Sequence, residues 1–403
     1  MKRILTATLL ATAGIAVMAT ASVAQLERRP IVDYKDIFYP PAFTKAQIAP
    51  EIPFKAVDSH WFKMPPEEHN WNIDFGEVAA VTDNDQGHVF VLNRNDVRGN
   101  VYGGNATQVL EFDEKGNFVR EIGHNMYGFA YGHGIRVDKN GDIWVVDKGS
   151  DMVTKFDHVT GKKLLVLGRR AEASSAYWAR GGDRAKQHPE EGGFAEPTDV
   201  AWDSKGNIYV SDGYVHSRVA KFDPAGNWIG TWGKSGVGPG EFRTVHNVQV
   251  DKNDNVWVAD RSNGRIQVFD TDGKFLREVI LNVPTKTYQP IMGHQYPPES
   301  KVGSTEEKPV NWAYRPGTPD ALCYNAKENV MFVGDLYPGR VYKVDLSGKV
   351  LGYFGHAGKE TGNTGAIHGL ACRNANMIYT AEFENDQVQR FILHPENAKV
   401  TGN

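Results

Sequence analysis

Apolar and polar residues alternate along this chain in short segments, separated by turns rich in Gly, Asn and Asp. A clear example is VHNVQVDKNDNVWVADRSNGRIQVFDTDGKFLREV, which begins at Val245. Alternation with a period of two indicates β-strands, and the intervening polar turns indicate hairpins. This stretch therefore predicts four antiparallel strands.

The same four-strand pattern recurs six times, with copies that begin at Gly76, Gly132, Pro197, Val245, Pro319 and Ile367. Four-stranded units that repeat about every 45 residues are typical of β-propellers. The sequence therefore predicts an all-β fold, a six-bladed β-propeller with four antiparallel strands per blade. The last copy is short, and we expect the segment before Gly76 to supply its fourth strand and close the ring.

The chain divides into three segments. Residues 1–24 are expected to be a signal peptide, because Lys2 and Arg3 precede an apolar stretch and a small-residue cleavage site. Residues 25–70 are a Pro-rich lead-in expected to wrap around the propeller, and residues 71–403 form the propeller itself. We expect a periplasmic or secreted protein without stable membrane insertion after cleavage; an N-terminal membrane anchor is the alternative.

Long segments interrupt the repeats at residues 96–107, 169–196 and 280–318. Loops of this length in a compact domain are usually functional or mobile, and we expect them to lie over one face of the disc. The turn Asp138–Asp142 superficially resembles a calcium loop. Equivalent turns follow Asp203 and Asp251 at the same place in their repeats, so we interpret all of them as hairpin turns.

The formal net charge is −4, and no stretch resembles a basic nucleic-acid surface. We therefore expect no nucleic-acid partner. Cys323 and Cys372 are the two cysteines of the chain. They could form a disulfide or remain two buried thiols, and the sequence leaves both open, as it does the oligomeric state.

Three histidines occupy one position of the repeat, in every second copy. They are His133, His246 and His368, each 14 residues before an acidic residue that ends a strand. In a six-bladed ring, equivalent inner-strand positions recur about every 60°, so alternate blades would aim three imidazoles at one point of the central channel. The other histidines, including His188, His216 and His294, fall outside this position and are interpreted as surface or lid residues.

Three converging neutral imidazoles are typical of a zinc site with a fourth position open to water or substrate. Another divalent transition metal remains an alternative, because the ligands do not fix the ion. Calcium prefers oxygen ligands. Channel histidines bonded only to water or backbone are the remaining, purely structural interpretation.

A longer stretch carries a more specific resemblance. FAEPTDVAWDSKGNIYVSDGYVHSRVAKFDPAGNWIGTWG from Phe194, followed by PGEFRTVHNVQV and VADRSNGRIQVFDTDGKFLREV, resembles the peptidyl-α-hydroxyglycine α-amidating lyases, which are six-bladed propellers of the NHL type. The similarity runs from about Gly76 to the end of the chain. It implies cleavage of the N–C bond of a peptidyl-α-hydroxyglycine, giving an amide and glyoxylate.

The resemblance also implies roles for individual residues. His133, His246 and His368 match the family's zinc ligands, Tyr214 its catalytic tyrosine, and Arg94 and Arg261 two active-site arginines. Zinc could acidify the substrate hydroxyl, a tyrosinate stabilised by cations could act as base, and Arg261 could bind a substrate carboxylate. We therefore expect a small-molecule or peptide substrate that carries a carboxylate.

The family also binds a structural calcium through backbone carbonyls, which correspond to Val81 and Ile135, and through an acidic residue after the third histidine. Gly369 stands at that acidic position here. Calcium is therefore expected only if the two carbonyls suffice.

Two other functions compete with the lyase. One is a metal-dependent hydrolase or lactonase, in which Glu77, Thr198 and Asp320, assigned to the alternate inner positions, would assist. The other is a non-enzymatic NHL-propeller binding protein whose metal only plugs the channel. Tyr214 and the arginines distinguish these hypotheses, because a plug needs neither a base nor anion-binding groups.

Overall fold

The computed structural model describes residues 47–63, 75–94, 107–170, 192–283, 317–336 and 339–397, all of which belong to the unit Tyr39–Asn403. Several expectations concern residues outside these ranges. They are the signal peptide 1–24, residues 25–46 and 64–70 of the lead-in, most of the three long interrupting segments, and His188 and His294.

Six four-stranded antiparallel sheets form the propeller, with the first strand of each blade innermost. Blade one consists of β2 (Val78–Asp83), β3 (Val89–Asn93), β4 (Gln108–Phe112) and β5 (Phe118–Ile122). Blade two consists of β6 (Gly132–Val137), β7 (Ile143–Asp147), β8 (Met152–Phe156) and β9 (Lys163–Gly168). Blade three consists of β10 (Pro197–Trp202), β11 (Ile208–Asp212), β12 (Arg218–Phe222) and β13 (Trp228–Trp232). The predicted fold class is confirmed.

Blades four and five have the same order. They are β16 (Val245–Val250), β17 (Val256–Asp260), β18 (Arg265–Phe269) and β19 (Phe275–Val279); and β20 (Pro319–Asn325), β21 (Val330–Asp335), β22 (Val341–Asp345) and β23 (Val350–Phe354). Each is preceded or followed by a short parallel pair: β14 (Lys234–Ser235) with β15 (Glu241–Phe242), and β24 (His356–Ala357) with β25 (Asn363–Thr364). Short 3-10 helices within the described residues are Ser59–Trp61, Arg261–Asn263 and Pro395–Asn397.

The sixth blade joins the two ends of the propeller. Its inner strands are β26 (Ile367–Asn374), β27 (Met377–Glu382) and β28 (Gln387–Leu393), and its outermost strand is β1 (Phe54–Val57), which pairs with β28. The prediction that a segment before Gly76 completes this blade is confirmed. β1 lies within the segment that the sequence analysis assigned to the lead-in, so that segment contributes one strand to the propeller.

The hydrophobic core lies between blades. Trp144 and Val146 of blade two, for example, pack against Val210 and Phe222 of blade three, and similar clusters fill the other interfaces. All five residues of β17 are buried, whereas β19 has exposed positions, because the inner strands are covered on both faces and the outer strands on one. Each large apolar side chain buried in this way contributes about 1.5–3 kcal/mol.

The Asp138 turn is a hairpin turn, as predicted. Oδ1 of Asp138 accepts hydrogen bonds from the backbone N–H groups of Asn140 and Asp142, and Oδ2 accepts one from Trp144 Nε1. Asp251 makes the same bonds to Asn253, Asn255 and Trp257. These carboxylates therefore stabilise turns and strands.

Cys323 and Cys372 form a disulfide between β20 and β26, the inner strands of blades five and six. Their Cα atoms are 6.0 Å apart, a separation that a disulfide spans readily. Of the two states that the sequence left open, the structure has the bonded one. In the described part of the chain, no helix is long and apolar enough to span a membrane.

Replacing both cysteines by alanine should lower the free energy of unfolding by about 2–4 kcal/mol, because the crosslink restricts the unfolded chain. Urea denaturation of the oxidised wild type and of the Cys323→Ala/Cys372→Ala variant measures this difference. Wild type treated with a reductant serves as the control and should match the variant. Equal stability of all three samples would contradict the prediction.

Candidate metal centre

Each histidine of the predicted triad sits at a β-bulge in the first strand of its blade. The register shifts between Gly132 and Gly134, between Val245 and Asn247, and between Ile367 and Gly369, so the residue in the middle is His133, His246 or His368. A bulge turns the side chain of its extra residue out of the regular alternation. The three imidazoles thereby leave the interblade core and enter the channel.

The remaining blades have the same bulge, and its middle residue is Ala79, Thr198 or Asp320. Thr198 and Asp320 occupy the inner positions that the sequence assigned to them. The assignment of Glu77 was wrong: the equivalent residue is Ala79, which precedes Asn93 by the same 14 residues that separate His133 from Asp147.

The three imidazoles converge. Their ring centroids are 4.7 Å apart for His133 and His246, 4.5 Å for His133 and His368, and 4.8 Å for His246 and His368. One ring nitrogen of each lies within 4.8 Å of the others, so a single ion could contact all three. The structure thus brings together the three residues that the sequence selected.

A carbonyl of the next blade orients each ring. Nδ1 lies 2.8 Å from the Thr198 oxygen for His133, 2.8 Å from the Asp320 oxygen for His246, and 2.6 Å from the Ala79 oxygen for His368. A carbonyl can only accept, so Nδ1 carries the proton and Nε2 presents its lone pair to the channel. This is the tautomer that a metal-binding histidine needs.

Burial and charge keep the three rings neutral. Desolvation lowers the pKa of His133, His246 and His368 well below the usual 6.5, and the nearby histidines and cations lower it further. Arg94, Lys148 and Arg261 are the cations responsible. Because a metal binds the neutral form, the rings need not lose a proton at neutral pH.

The acidic residues 14 positions after the histidines fix where the inner strands begin. Each is buried and accepts a hydrogen bond from a backbone N–H two or three residues before a histidine: Asp147 from Tyr131, Asp260 from Arg243, and Glu382 from Gly365. The 14-residue spacing found in the sequence therefore reflects a hydrogen bond that positions each histidine.

Tyr214 lies over the triad, on the turn that follows β11. Gly213 makes this possible, because a Cβ there would lie 1.8 Å from the Val245 oxygen. The Tyr214 hydroxyl is 3.2 Å from Nε2 of His133 and 3.1 Å from Nε2 of His246. Its single proton can satisfy only one of these two acceptors, so the lone pair of the other Nε2 does not receive a hydrogen bond from Tyr214.

Two cations flank Tyr214. An Nη atom of Arg261 lies 3.4 Å from the Tyr214 hydroxyl, and Nζ of Lys148 lies 3.8 Å from the centroid of the Tyr214 ring. Lys148 also pairs with Glu196 at 3.5 Å. Nε of Arg261 is buried and has no hydrogen-bond partner among the described residues.

Arg94 contacts a neighbouring set of side chains. It donates to Glu77 at 2.9 Å and to the Gly132 carbonyl at 2.7 Å, and its guanidinium lies 3.9 Å from the centroid of the Tyr131 ring. The sequence placed Arg94 beside Tyr214, but the tyrosine that it covers is Tyr131. Its charge still acts on His133 and His368, whose pKa it lowers.

Sequence reasoning missed Lys148, although a signal was present. Lys148 directly follows the strand-ending Asp147, just as Arg94 follows Asn93 and Arg261 follows Asp260. Each of these cations donates its backbone N–H to the segment that enters its blade, at the carbonyls of Tyr131, Glu77 and Thr244. The three cations therefore occupy the same position in their blades and lie around one end of the channel.

The residues suggested for calcium could supply main-chain carbonyls as ligands but no side-chain ligands. Val81 and Ile135 are buried in β2 and β6, and their side chains belong to the interblade core. A Cβ at Gly369 would lie 2.7 Å from the Ala80 Cα, so an acidic residue would not fit there on this backbone. This disfavours the calcium site.

Among the residues that the structure describes, a second group of side chains could be considered for a metal: Asp142, Asp157 and His158. It lies on the hairpins of blade two, and Lys155 already sits 2.9 Å from Asp142. A lysine ammonium in this position neutralises the carboxylate that a metal would need. The channel histidines are therefore the stronger candidate.

Comparisons with known proteins agree with this architecture. A family model described as a 6-bladed beta-propeller matches residues 193–296. The chain is 29% identical over 323 residues to the probable peptidyl-alpha-hydroxyglycine alpha-amidating lyase of Caenorhabditis elegans, covering 69% of this chain and 85% of that protein. It is 31% identical over 195 residues to human NHL repeat-containing protein 3, covering 46% and 53%.

The rat peptidylglycine alpha-amidating monooxygenase is 30% identical over 260 residues, which cover 58% of this chain but only 25% of that longer protein. Among solved structures, a streptogramin B lyase superposes with a TM-score of 0.50 at 13% identity, covering 85% of this chain and 98% of that one. At such low identity this similarity concerns the fold alone. The chain is thus a six-bladed β-propeller that is similar in sequence to a probable peptidyl-alpha-hydroxyglycine alpha-amidating lyase and to an NHL repeat-containing protein.

Proposed function

We propose that this protein is a metal-dependent lyase that cleaves the N–C bond of an α-hydroxyglycine-type substrate and releases an amide and glyoxylate. The observation that carries the proposal is the Tyr214 hydroxyl, which lies 3.2 and 3.1 Å from the Nε2 atoms of His133 and His246. A proton-transfer group thus lies directly beside a metal-binding set of ligands. The name of the C. elegans relative supports the same chemistry.

His133, His246 and His368 would hold the ion through Nε2. Three neutral imidazoles with Nδ1 bonded to carbonyls fit zinc best, and another divalent transition metal second. A bound zinc supplies Lewis acidity, which favours loss of a proton from a substrate hydroxyl. Calcium has no place in the proposal.

Tyr214 would move the proton. Its phenolate oxygen can take the proton of the α-hydroxyl while the C=O of glyoxylate forms and the C–N bond breaks. The same oxygen can then return the proton to the amide nitrogen, because both groups are attached to one carbon. Arg261 and Lys148 place positive charge beside the hydroxyl and the ring of Tyr214.

Arg261 would bind the carboxylate of the substrate. Its side chain is 18% exposed, so part of the guanidinium can be reached by a carboxylate, which it would bind through charged hydrogen bonds. The same contact would retain the carboxylate of glyoxylate until release. The substrate is therefore expected to be a free acid.

We further propose that the protein works outside the cytosol, in the periplasm or after secretion. The Cys323–Cys372 disulfide supports this, since disulfides persist mainly in oxidising compartments.

The purified protein should bind about one zinc ion per chain, and His246→Ala should lose most of it, because one of three ligands is missing. Elemental analysis after dialysis measures the metal. His158→Ala is the matched control, since it removes a histidine from the Asp142 group and should leave the metal content unchanged. Full retention of zinc by His246→Ala would rule out the axial site.

Tyr214→Phe should keep the zinc but lose turnover by about 10²–10⁴-fold, the usual contribution of a general acid–base group. Glyoxylate release from an α-hydroxyglycine peptide measures the activity. Tyr131→Phe, which removes the hydroxyl of the neighbouring tyrosine, should lose far less. Undiminished activity of Tyr214→Phe would exclude Tyr214 as the proton-transfer group. A wild type that binds zinc but releases no glyoxylate would favour a binding protein with a structural metal.

Arg261→Gln should raise KM by about tenfold for a free-acid substrate, because it removes a charged hydrogen bond. An analogue whose carboxylate is replaced by a carboxamide should show little change between wild type and variant. If KM rises equally for both compounds, Arg261 does not recognise the carboxylate.

A further inference from the structure

The carbonyls that orient the three histidine rings belong to residues of the alternate blades, and one of these three residues differs chemically from the other two. Ala79 and Thr198 have no ionisable side chain, whereas Asp320 has a carboxylate that is fully buried. The near three-fold arrangement is therefore broken in one sector, between His246 of blade four and Asp320 of blade five.

The Asp320 carboxylate contacts both a histidine of the triad and a cation. Its Oδ1 lies 3.1 Å from Nδ1 of His246 and 3.3 Å from Nη1 of Arg261. The His246 Nδ1–H bonds to the main-chain oxygen of Asp320, and the carboxylate lies beside the same nitrogen without accepting a hydrogen bond from it. Because His246 and Asp320 are excluded from water, these interactions are weakly screened.

Asp320, Arg261, Tyr214 and His246 contact one another in a closed loop beside the candidate centre. Asp320 contacts His246 and Arg261, Arg261 contacts the Tyr214 hydroxyl at 3.4 Å, and that hydroxyl lies 3.1 Å from Nε2 of His246. A change at Asp320 thus acts on a ligand, on the anion-binding group and on the proton-transfer group at once.

We propose that Asp320 is a positioning residue that strengthens His246 as a metal ligand and holds Arg261 against Tyr214. A carboxylate charge 3.1 Å from Nδ1 polarises the imidazole and makes its Nε2 a stronger electron donor to a metal. Neither Ala79 nor Thr198 can do this for the other two histidines. The inference rests on the metal site of the proposed function.

The other oxygen of Asp320 argues against a purely stabilising role. Oδ2 is buried and has no hydrogen-bond partner among the described residues. An unsatisfied buried acceptor costs stability, and a buried ion pair often contributes little in return. The carboxylate is better explained by its effect on His246 than by its contribution to folding.

The zinc affinities of two variants distinguish an effect of Asp320 on His246 from a purely structural ion pair between Asp320 and Arg261. Dissociation constants are measured on the metal-free full chain by competition with a chromogenic chelator, without substrate. Asp320→Asn should bind zinc about tenfold more weakly than wild type. Arg261→Gln should bind zinc at least as tightly as wild type, because it removes a repelling charge and leaves the carboxylate on His246. A purely structural ion pair predicts weaker binding in both variants.

Asp335→Asn is the matched control, since Asp335 is equally buried in blade five and bonds Gly317, Arg340 and Tyr342 instead of a histidine. It should lower the thermal unfolding midpoint without changing zinc affinity. Equal affinity of Asp320→Asn and wild type would overturn the inference. If Asp320→Asn does not fold, weaker zinc binding by Arg261→Gln overturns it.

These outcomes are distinct from failure of the proposed function. Wild type that binds zinc but releases no glyoxylate from the α-hydroxyglycine peptide would refute the lyase activity and leave the role of Asp320 to be decided by the affinities. Wild type that binds no zinc would refute both.

Discussion

The centre of this propeller depends on hydrogen bonds that cross from one blade to the next, from the ring N–H of a histidine to a main-chain oxygen. Each histidine needs such an oxygen at the neighbouring bulge, at Thr198, Asp320 or Ala79. Blades that supply a histidine alternate with blades that supply the accepting carbonyl. Every ring has its own partner, and all three Nε2 lone pairs face the channel.

Hydrogen bonds between the end of the second strand and the backbone just before the first strand fix the position of each histidine. Asp147, Asp260 and Glu382 are buried at the ends of their strands and hold the backbone just before each histidine. The bulge that follows then turns the imidazole inwards. The same register positions cations immediately after the buried residue in blades one, two and four, so the ligands and the charged groups around them are positioned by one repeated element.

Much of this could be predicted because it is periodic. Alternation and turn residues predicted the blades and the closing strand, and the fixed 14-residue spacing selected His133, His246 and His368. The assignment of Glu77 departed from this spacing, which selects Ala79 two residues later. The contact of Asp320 with His246 and the pairing of the cysteines depend on distances between blades, which no repeat pattern specifies.

The interblade bonds also connect the ends of the fold. Nδ1 of His368 bonds to the Ala79 carbonyl, a contact between residues 289 positions apart in the chain, and β1 pairs with β28 to close the same ring. Contacts so distant in sequence are slow to form, because the intervening chain must first be ordered. The third imidazole therefore acquires its partner only when the circle is complete. Metal uptake would then report that the whole ring had been synthesised and folded, and a nascent chain ending before blade six would present only two of the three ligands.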